Sequence, residues 1–238
     1  MKALLYGIAL QWKLDIRSKT MLITCYVVPL IFYAFMGGIF TSINPEAKAT
    51  LIQSMTVFVV SMGALIGLPP SLVEIYGSDI KTVYKANGVP LYFGVITHFI
   101  SAFIHLLIMC VVILVTAPFV FHAVLPARLL PYFTSLLIFI GVSLSIGCAL
   151  GLLCKTQSKL TMLSQIIFLP SIMLSGILFP IDMLPKAFAY IGKIFPAAWG
   201  IEMMLRDAFA FRLLIPLAAI FFVAVAISIF ALSKKTKE

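Results

Sequence analysis

Charged residues are scarce in this sequence: only 11% of its 238 positions are Asp, Glu, Lys or Arg, while 63% are hydrophobic. A soluble domain of this length contains roughly 45–50% apolar residues, so the composition excludes a soluble globular fold. The apolar blocks contain no clear carboxylate, which disfavours an ion-coupled secondary carrier or channel, because such proteins normally carry ionisable groups in the membrane. The sequence therefore predicts an all-α polytopic membrane protein.

Motifs for catalysis, metal binding and nucleotide binding are also missing. The four cysteines have no CxxC or paired spacing, so we predict neither a disulfide framework nor a zinc site. The phosphate-binding pattern GxxxxGK[ST] is absent, as are HExxH and GxSxG. We therefore expect no catalytic residue, no metal and no cofactor in this chain. No cleavable signal peptide is predicted at the N-terminus.

Two histidines, His98 and His105, lie seven positions apart in the third apolar block. On a helix they share a face and stand roughly 10 Å apart along the axis, so one metal ion cannot easily bind both. We interpret them as neutral side chains that are hydrogen-bonded within a helix bundle, which disfavours a membrane-embedded enzyme.

Six apolar blocks are long enough to cross a bilayer, which takes about 20 residues per helix. They cover residues 21–41, 51–73, 91–117, 130–153, 160–179 and 213–232. With both termini in the cytoplasm, 11 Lys and Arg residues lie inside and 6 outside, so the positive-inside rule favours this orientation. We interpret the net charge of +9 as an orientation signal and an attraction to anionic membrane lipid, and we expect no nucleic-acid binding. The predicted location is the plasma (inner) membrane.

Residues 1–19 precede the first block and are amphipathic. Leu4, Leu5, Ile8 and Trp12 fall on one helical face, and the polar residues around the rest are Lys2, Gln11, Lys13, Asp15 and Arg17. This pattern predicts a helix lying in the inner membrane interface, with Trp12 at headgroup level. The alternative is an unstructured basic tail.

Small residues recur at four-residue spacing in the second and fourth blocks, where they let helix backbones approach closely. They are Gly63 and Gly67, and Ser143, Gly147 and Gly151. Their packing partners are either neighbours in the chain or a second copy of it. Prolines at positions 69, 70 and 170 predict bends or local unwinding.

The connection between the second and third blocks, residues 74–90, reads EIYGSDIKTVYKANGVP. Ile80, Val83 and Tyr84 beside lysines predict an amphipathic helical turn, and Asn87-Gly88 is a strong turn signal. Such a turn is either a docking surface for a soluble partner or a solvated loop with helical character.

The segment 174–199, LSGILFPIDMLPKAFAYIGKIFPAAW, stays apolar although Pro180, Pro185 and Pro196 interrupt it. An ordinary loop between membrane helices is polar. This pattern predicts a re-entrant extracytoplasmic segment over residues 180–211, since irregular backbone is tolerated at membrane depth only beside protein or a water-lined cavity.

These features together resemble the type-2 ATP-binding-cassette (ABC) transporter permeases. The best match is SGILFPIDMLP at 175–185, followed by Phe195-Pro196. A weaker match is 74–90, with an acidic residue, a lysine-containing helix and a turn with proline. There the strongly basic run usual after the glutamate is replaced by residues 75–79, which puts residue-level coupling contacts in doubt.

The resemblance implies one transmembrane domain over residues 1–238, with an elbow helix at 1–19, a coupling segment at 74–90 and the re-entrant segment at 180–211. It implies an ATP-driven transporter, usually an exporter, built from two permease units, either two copies or two related chains. ATP and Mg²⁺ would be bound by a partner cassette ATPase subunit. The coupling residues would be Glu74, Asp79, Lys81, Tyr84, Lys85, Asn87 and Gly88. The gate residues would be Ser175, Gly176, Phe179, Pro180, Pro185, Phe195 and Pro196. A nearly uncharged interior favours a hydrophobic or amphipathic cargo, such as a drug, peptide antibiotic or lipid.

Overall fold

A computed structural model describes residues 2–43, 45–78, 80–178, 184–206 and 208–237. These residues form helices and connecting loops, with no β-strand among them, which confirms the all-α fold. The α-helices in these ranges are α1 (Lys2–Arg17), α2 (Lys19–Leu22), α3 (Val28–Ile43), α4 (Leu51–Met62), α5 (Pro69–Gly77), α6 (Ile80–Ala86), α7 (Leu91–Phe121), α8 (Leu129–Leu153), α9 (Gln157–Met173), α10 (Lys186–Gly192), α11 (Pro196–Met204) and α12 (Phe211–Lys237).

Within the described ranges, five helical stretches are long and apolar enough to cross a membrane. They are Lys19–Ile43, Leu51–Gly77, Leu91–Phe121, Leu129–Leu153 and Phe211–Thr236. The predicted block 160–179 forms α9, whose 17 residues measure about 25 Å, slightly less than the roughly 30 Å hydrocarbon core. The six-span topology therefore stays a prediction.

The second stretch, Leu51–Gly77, is the centre of the bundle. In its most apolar window 89% of the residues are buried, compared with 22% for Lys19–Ile43 and 17% for Phe211–Thr236. The first and last spans therefore lie at the periphery, with most of their apolar side chains exposed for lipid to cover.

Close packing between α8 and the central span depends on the small residues predicted from the sequence. A Cβ atom at Gly147 would lie 2.1 Å from the carbonyl oxygen of Ala64, and one at Gly151 would lie 2.9 Å from that of Pro69. Neither position can accept a side chain without separating the helices. Of the two partners that the sequence left open, these glycines pack against a neighbour in the same chain.

Proline causes a local change of helix type in the central span. Pro69 has no N–H and its ring crowds the preceding turn. The helix widens ahead of it into a π-helical turn, Gly63–Gly67, in which the Leu68 N–H donates to the Gly63 carbonyl at 3.0 Å. This confirms the predicted unwinding at Pro69 and Pro70. A similar turn, Ile23–Val27, precedes Pro29 in the first span, whereas Pro170 lies inside α9.

Candidate functional site

The connection between α5 and α7 presents a short exposed helix. In α6, Ile80 and Val83 are exposed although they are apolar. The helix ends in the predicted turn: the Asn87 side-chain amide donates to the Val83 carbonyl at 2.8 Å, and Gly88 has a φ of 65°. That left-handed conformation suits glycine. The arrangement can bind an apolar groove on a soluble partner.

Two lysines join this connection to the C-terminal end of α12. Lys235 Nζ donates to the Tyr76 carbonyl at 3.2 Å, near the end of α5. Lys85 Nζ on α6 donates to the Thr236 carbonyl at 2.9 Å, in the last turn of α12. Lys235 thus lies at the C-terminus of α5 and Lys85 at that of α12, where unpaired carbonyls and the helix dipole favour positive charge. A displacement of α6 must therefore strain its attachment to α12.

The turn between α8 and α9 is fixed to the same region. The Gln157 side-chain amide donates to the Pro70 carbonyl at 2.9 Å. A Cβ atom at Gly77 would lie 3.4 Å from the Lys155 carbonyl oxygen. Helix α5 therefore contacts both the end of α12 and the start of α9.

The N-terminal helix α1 packs on α7 through polar contacts. Asp15 is buried and accepts hydrogen bonds from Ser101 Oγ at 2.5 Å and from Gln11 Nε2 at 2.8 Å. The Trp12 ring stacks on His105 with ring centroids 4.1 Å apart. Ser101 and His105 lie about 15 and 21 Å along α7 from its first residue.

These contacts change the predicted orientation of α1. Leu4, Ile8 and Trp12 are partly buried as expected, but Leu5 is exposed. The side of α1 that faces the protein also includes Asp15, which the sequence placed among the polar residues away from the apolar face. The ring of Trp12 packs on the bundle. The predicted helix exists, and its place in the membrane interface stays a prediction.

Both histidines of α7 have hydrogen-bond partners inside the bundle, as interpreted from the sequence. His98 Nδ1 donates to the Gly94 carbonyl at 2.9 Å in its own helix. His105 Nδ1 lies 2.6 Å from the hydroxyl of Tyr26 in the first span. His105 therefore serves the packing of α7 with α1 and the first span, whereas the hydrogen bond of His98 stays within α7.

The segment before α12 contains an exposed and a buried short helix. In α10, Phe188 and Tyr190 are exposed. In α11, Ala197, Ile201 and Met204 are buried, and a Cβ atom at Gly200 would lie 2.5 Å from the Phe139 ring of α8. Phe139 is about 15 Å along α8 from its first residue. Helix α11 therefore packs well inside the length of α8, and the re-entrant segment stays a prediction.

The predicted gate residues fall at helix ends. Ser175 is buried and donates to the Ile172 carbonyl at 2.9 Å, and Gly176 has a φ of 87°. Pro185 precedes α10, while Phe195 and Pro196 begin α11. A Cβ atom at Gly192 would lie 2.3 Å from the Leu174 carbonyl oxygen, so the end of α10 rests on the end of α9.

The predicted coupling residues lie close together along the chain on α5, α6 and the following turn. Glu74 and Lys85 are exposed, and Lys81 lies within α6. Tyr84 is partly buried, with its ring 3.1 Å from the position of a Cβ atom at Gly94. Asp79, Phe179 and Pro180 lie outside the described residues.

Sequence reasoning missed Asp15 and Lys235 as contact residues. The sequence offered one sign that Asp15 has a special role, because it is the only acidic residue before Glu46. The sequence offered no such sign for Lys235, because its contact with Tyr76 joins positions that are 159 residues apart.

A family model described as "ABC-2 type transporter" matches residues 3–209, which is most of the chain. No curated protein is significantly similar to it.

Proposed function

The chain belongs to the ABC-2 type transporter family and is a membrane-embedded permease of that family; from this premise we propose that it forms an export path for a hydrophobic or amphipathic substrate. A separate cassette ATPase subunit binds ATP and Mg²⁺ and supplies the energy. This subunit docks on the cytoplasmic side, at α6.

The observation that carries the proposal is the joint of α12 with α5 and α6, formed by the hydrogen bonds of Lys235 and Lys85. Exposed Ile80 and Val83 offer an apolar contact for the ATPase, and the hydrogen bonds of Lys85 and Lys235 connect that contact to the last span. When the ATPase subunits close on ATP, they push α6. The push reaches α12 through the lysines and α8 through the packing of α5, so the work enters the bundle at helix ends.

The substrate class is supported by the surfaces that the bundle offers. The groove between α7, α8 and α12 is lined almost wholly by apolar side chains. A lipid-like molecule, a drug or a peptide antibiotic can enter such surfaces without losing hydrogen bonds to water. We propose that cargo leaves past α10 and α11 on the outer face, where α10 packs on the end of α9 and α11 packs inside the length of α8.

A second permease unit, either another copy or a related chain, covers α9 in this proposal. Helix α9 is short for a bilayer, and Met162, Ile166, Leu169 and Met173 form an exposed stripe along it. The non-helical turn that follows it also gains from protein contact, because lipid cannot satisfy backbone amide groups.

The docking proposal is tested with one charge placed at two matched positions. Val83 on α6 and Val124 in the connection between α7 and α8 are exposed to 56% and 58%. We expect Val83→Asp to abolish co-purification of the cassette ATPase and the stimulation of its activity by the permease. Val124→Asp should change neither. Equal behaviour of the two variants would contradict docking at α6.

An ion-coupled carrier is the alternative function, and the buried carboxylate of Asp15 is the observation in its favour. Its position on α1, hydrogen-bonded to Ser101 and Gln11, supports a packing role instead. Transport into inverted vesicles separates the two functions. Uptake that requires ATP and survives a protonophore supports the ABC permease, whereas uptake that follows the proton gradient without ATP supports the carrier.

A further inference from the structure

The cytoplasmic ends of α8 and α12 enclose a pocket with three lysines. Its volume is about 140 Å³, and its lining combines Lys155, Lys234 and Lys235 with the apolar side chains of Leu152, Leu153 and Phe230. No carboxylate of the described residues lines it. A small pocket that pairs several cations with an apolar floor fits an anionic group attached to an oily body.

An apolar groove continues from this pocket along α12, toward the N-terminal half of that helix. It lies between α8, α9 and α12, has a volume of about 400 Å³, and shares Leu153 with the basic pocket. On α12 the groove is lined at Ile220, Val223 and Ile227, and the pocket at Phe230 and Lys234. These positions follow one another every three or four residues, so groove and pocket lie on one face of the helix.

The length of this combined surface matches one leaflet. Ala219 is the lining residue of the groove on α12 that is farthest from the pocket. It lies fifteen residues of helix from Lys234, which corresponds to about 22 Å. Half of a bilayer that is 40–45 Å thick with its headgroups is about the same. We propose that the pocket and groove bind an anionic phospholipid of the cytoplasmic leaflet, with its phosphate among the lysines and one acyl chain in the groove.

The charge of the pocket favours this occupant over a neutral lipid. Lysines near the cytoplasmic surface attract anionic headgroups, and basic pockets between membrane helices on this side suit them. The second acyl chain would lie in the surrounding bilayer. The other occupant to be tested is an acidic surface of the ATPase subunit.

The site is tested by binding of dioleoylphosphatidylglycerol and dioleoylphosphatidylcholine to the purified full-length chain, measured by native mass spectrometry. The two lipids have identical chains and differ in headgroup charge. We expect the anionic lipid to bind more tightly, and Lys155→Gln with Lys234→Gln to weaken it by about tenfold or more. The matched control is Lys13→Gln with Lys19→Gln, which removes the same charge from exposed residues of the same predicted side.

The groove is tested by a substitution at Ala219, the lining residue on α12 that is farthest from the basic pocket. Ala219→Phe should weaken binding of the anionic dioleoyl lipid, whereas Ala226→Phe, at an exposed position of α12 outside the groove lining, should not. Equal binding of the two headgroups by the wild-type chain would overturn the proposal, as would equal losses in both lysine pairs. It would also be overturned if the Lys155/Lys234 variant kept its lipid but lost the ATPase subunit, since the pocket would then bind protein.

Discussion

The hydroxyl of Ser101 donates a 2.5 Å hydrogen bond to a carboxylate oxygen of Asp15, which joins α7 to the N-terminal helix in a buried position. Gln11 donates to the other oxygen of the same carboxylate. A charged group in such a place depends on its partners, because burying an unpaired charge costs several kcal/mol. The attachment of α1 to the bundle therefore rests on this carboxylate and on the Trp12–His105 stack.

Replacing Asp15 by Ala should loosen α1. The change leaves Ser101 without its acceptor and should cost about 2 kcal/mol, the usual value for a hydrogen bond to a charged group. We expect a lower melting temperature in detergent and faster protease cleavage within residues 2–17. Lys13→Ala, at an exposed position of the same helix, should leave both unchanged. An unaltered melting temperature for Asp15→Ala would show that α1 is held by other contacts.

The joint of α12 with α5 and α6 should transmit ATP-driven motion. Lys85→Met and Lys235→Met each remove one hydrogen bond of that joint while keeping most of the side chain's length. We expect the ATPase subunit to co-purify with both variants, but transport per ATP hydrolysed to fall severalfold. The double variant should lose less than the product of the two single effects, because both lysines serve one contact.

Lys159→Met, an exposed position at the start of α9, serves as the control and should transport normally. Normal transport by both joint variants would exclude a role for the joint in energy transfer.

Two glycines of α8 provide a matched test of helix packing. A Cβ atom at Gly147 would collide with the backbone of Ala64, whereas one at Gly141 would meet nothing within 4 Å. Gly147→Ala should therefore destabilise the fold by about 3 kcal/mol, and Gly141→Ala should be neutral or slightly stabilising, since Ala favours a helix over Gly. Thermal unfolding in detergent measures both. A tolerated alanine at 147 would contradict the close contact of α8 with the central span.

The partner surface on α9 can be mapped with cysteine. Ile166 on α9 and Ile229 on α12 are both exposed, and the four native cysteines are buried. If a second copy covers α9, Ile166→Cys should form a cross-linked dimer in membranes on oxidation, and Ile229→Cys should remain a monomer. With a related but different permease in that place, Ile166→Cys should form no cross-linked dimer. A dimer formed only through Ile229→Cys would refute the proposed surface.

The sequence predicted much of this fold because the governing constraint is local. A run of apolar residues long enough for a bilayer has to satisfy its backbone internally, so the helices follow from composition and length. The turn at Asn87-Gly88 and a local unwinding near Pro69 were also readable, since each follows from the chemistry of one or two residues, although α9 continues through Pro170. Contacts between distant segments were not readable. Asp15 looked like a surface charge because its partner, Ser101, lies 86 positions away.

The two π-helical turns, Ile23–Val27 and Gly63–Gly67, lie side by side. A Cβ atom at Gly67 would be 3.0 Å from the sulfur of Cys25, which leaves no space between the two helices at that height. Widened turns are where helices flex most readily. A swivel of one helix here therefore displaces the other. If the ATPase pushes α6 as proposed, the first span and the N-terminal helix α1 should tilt together with α5.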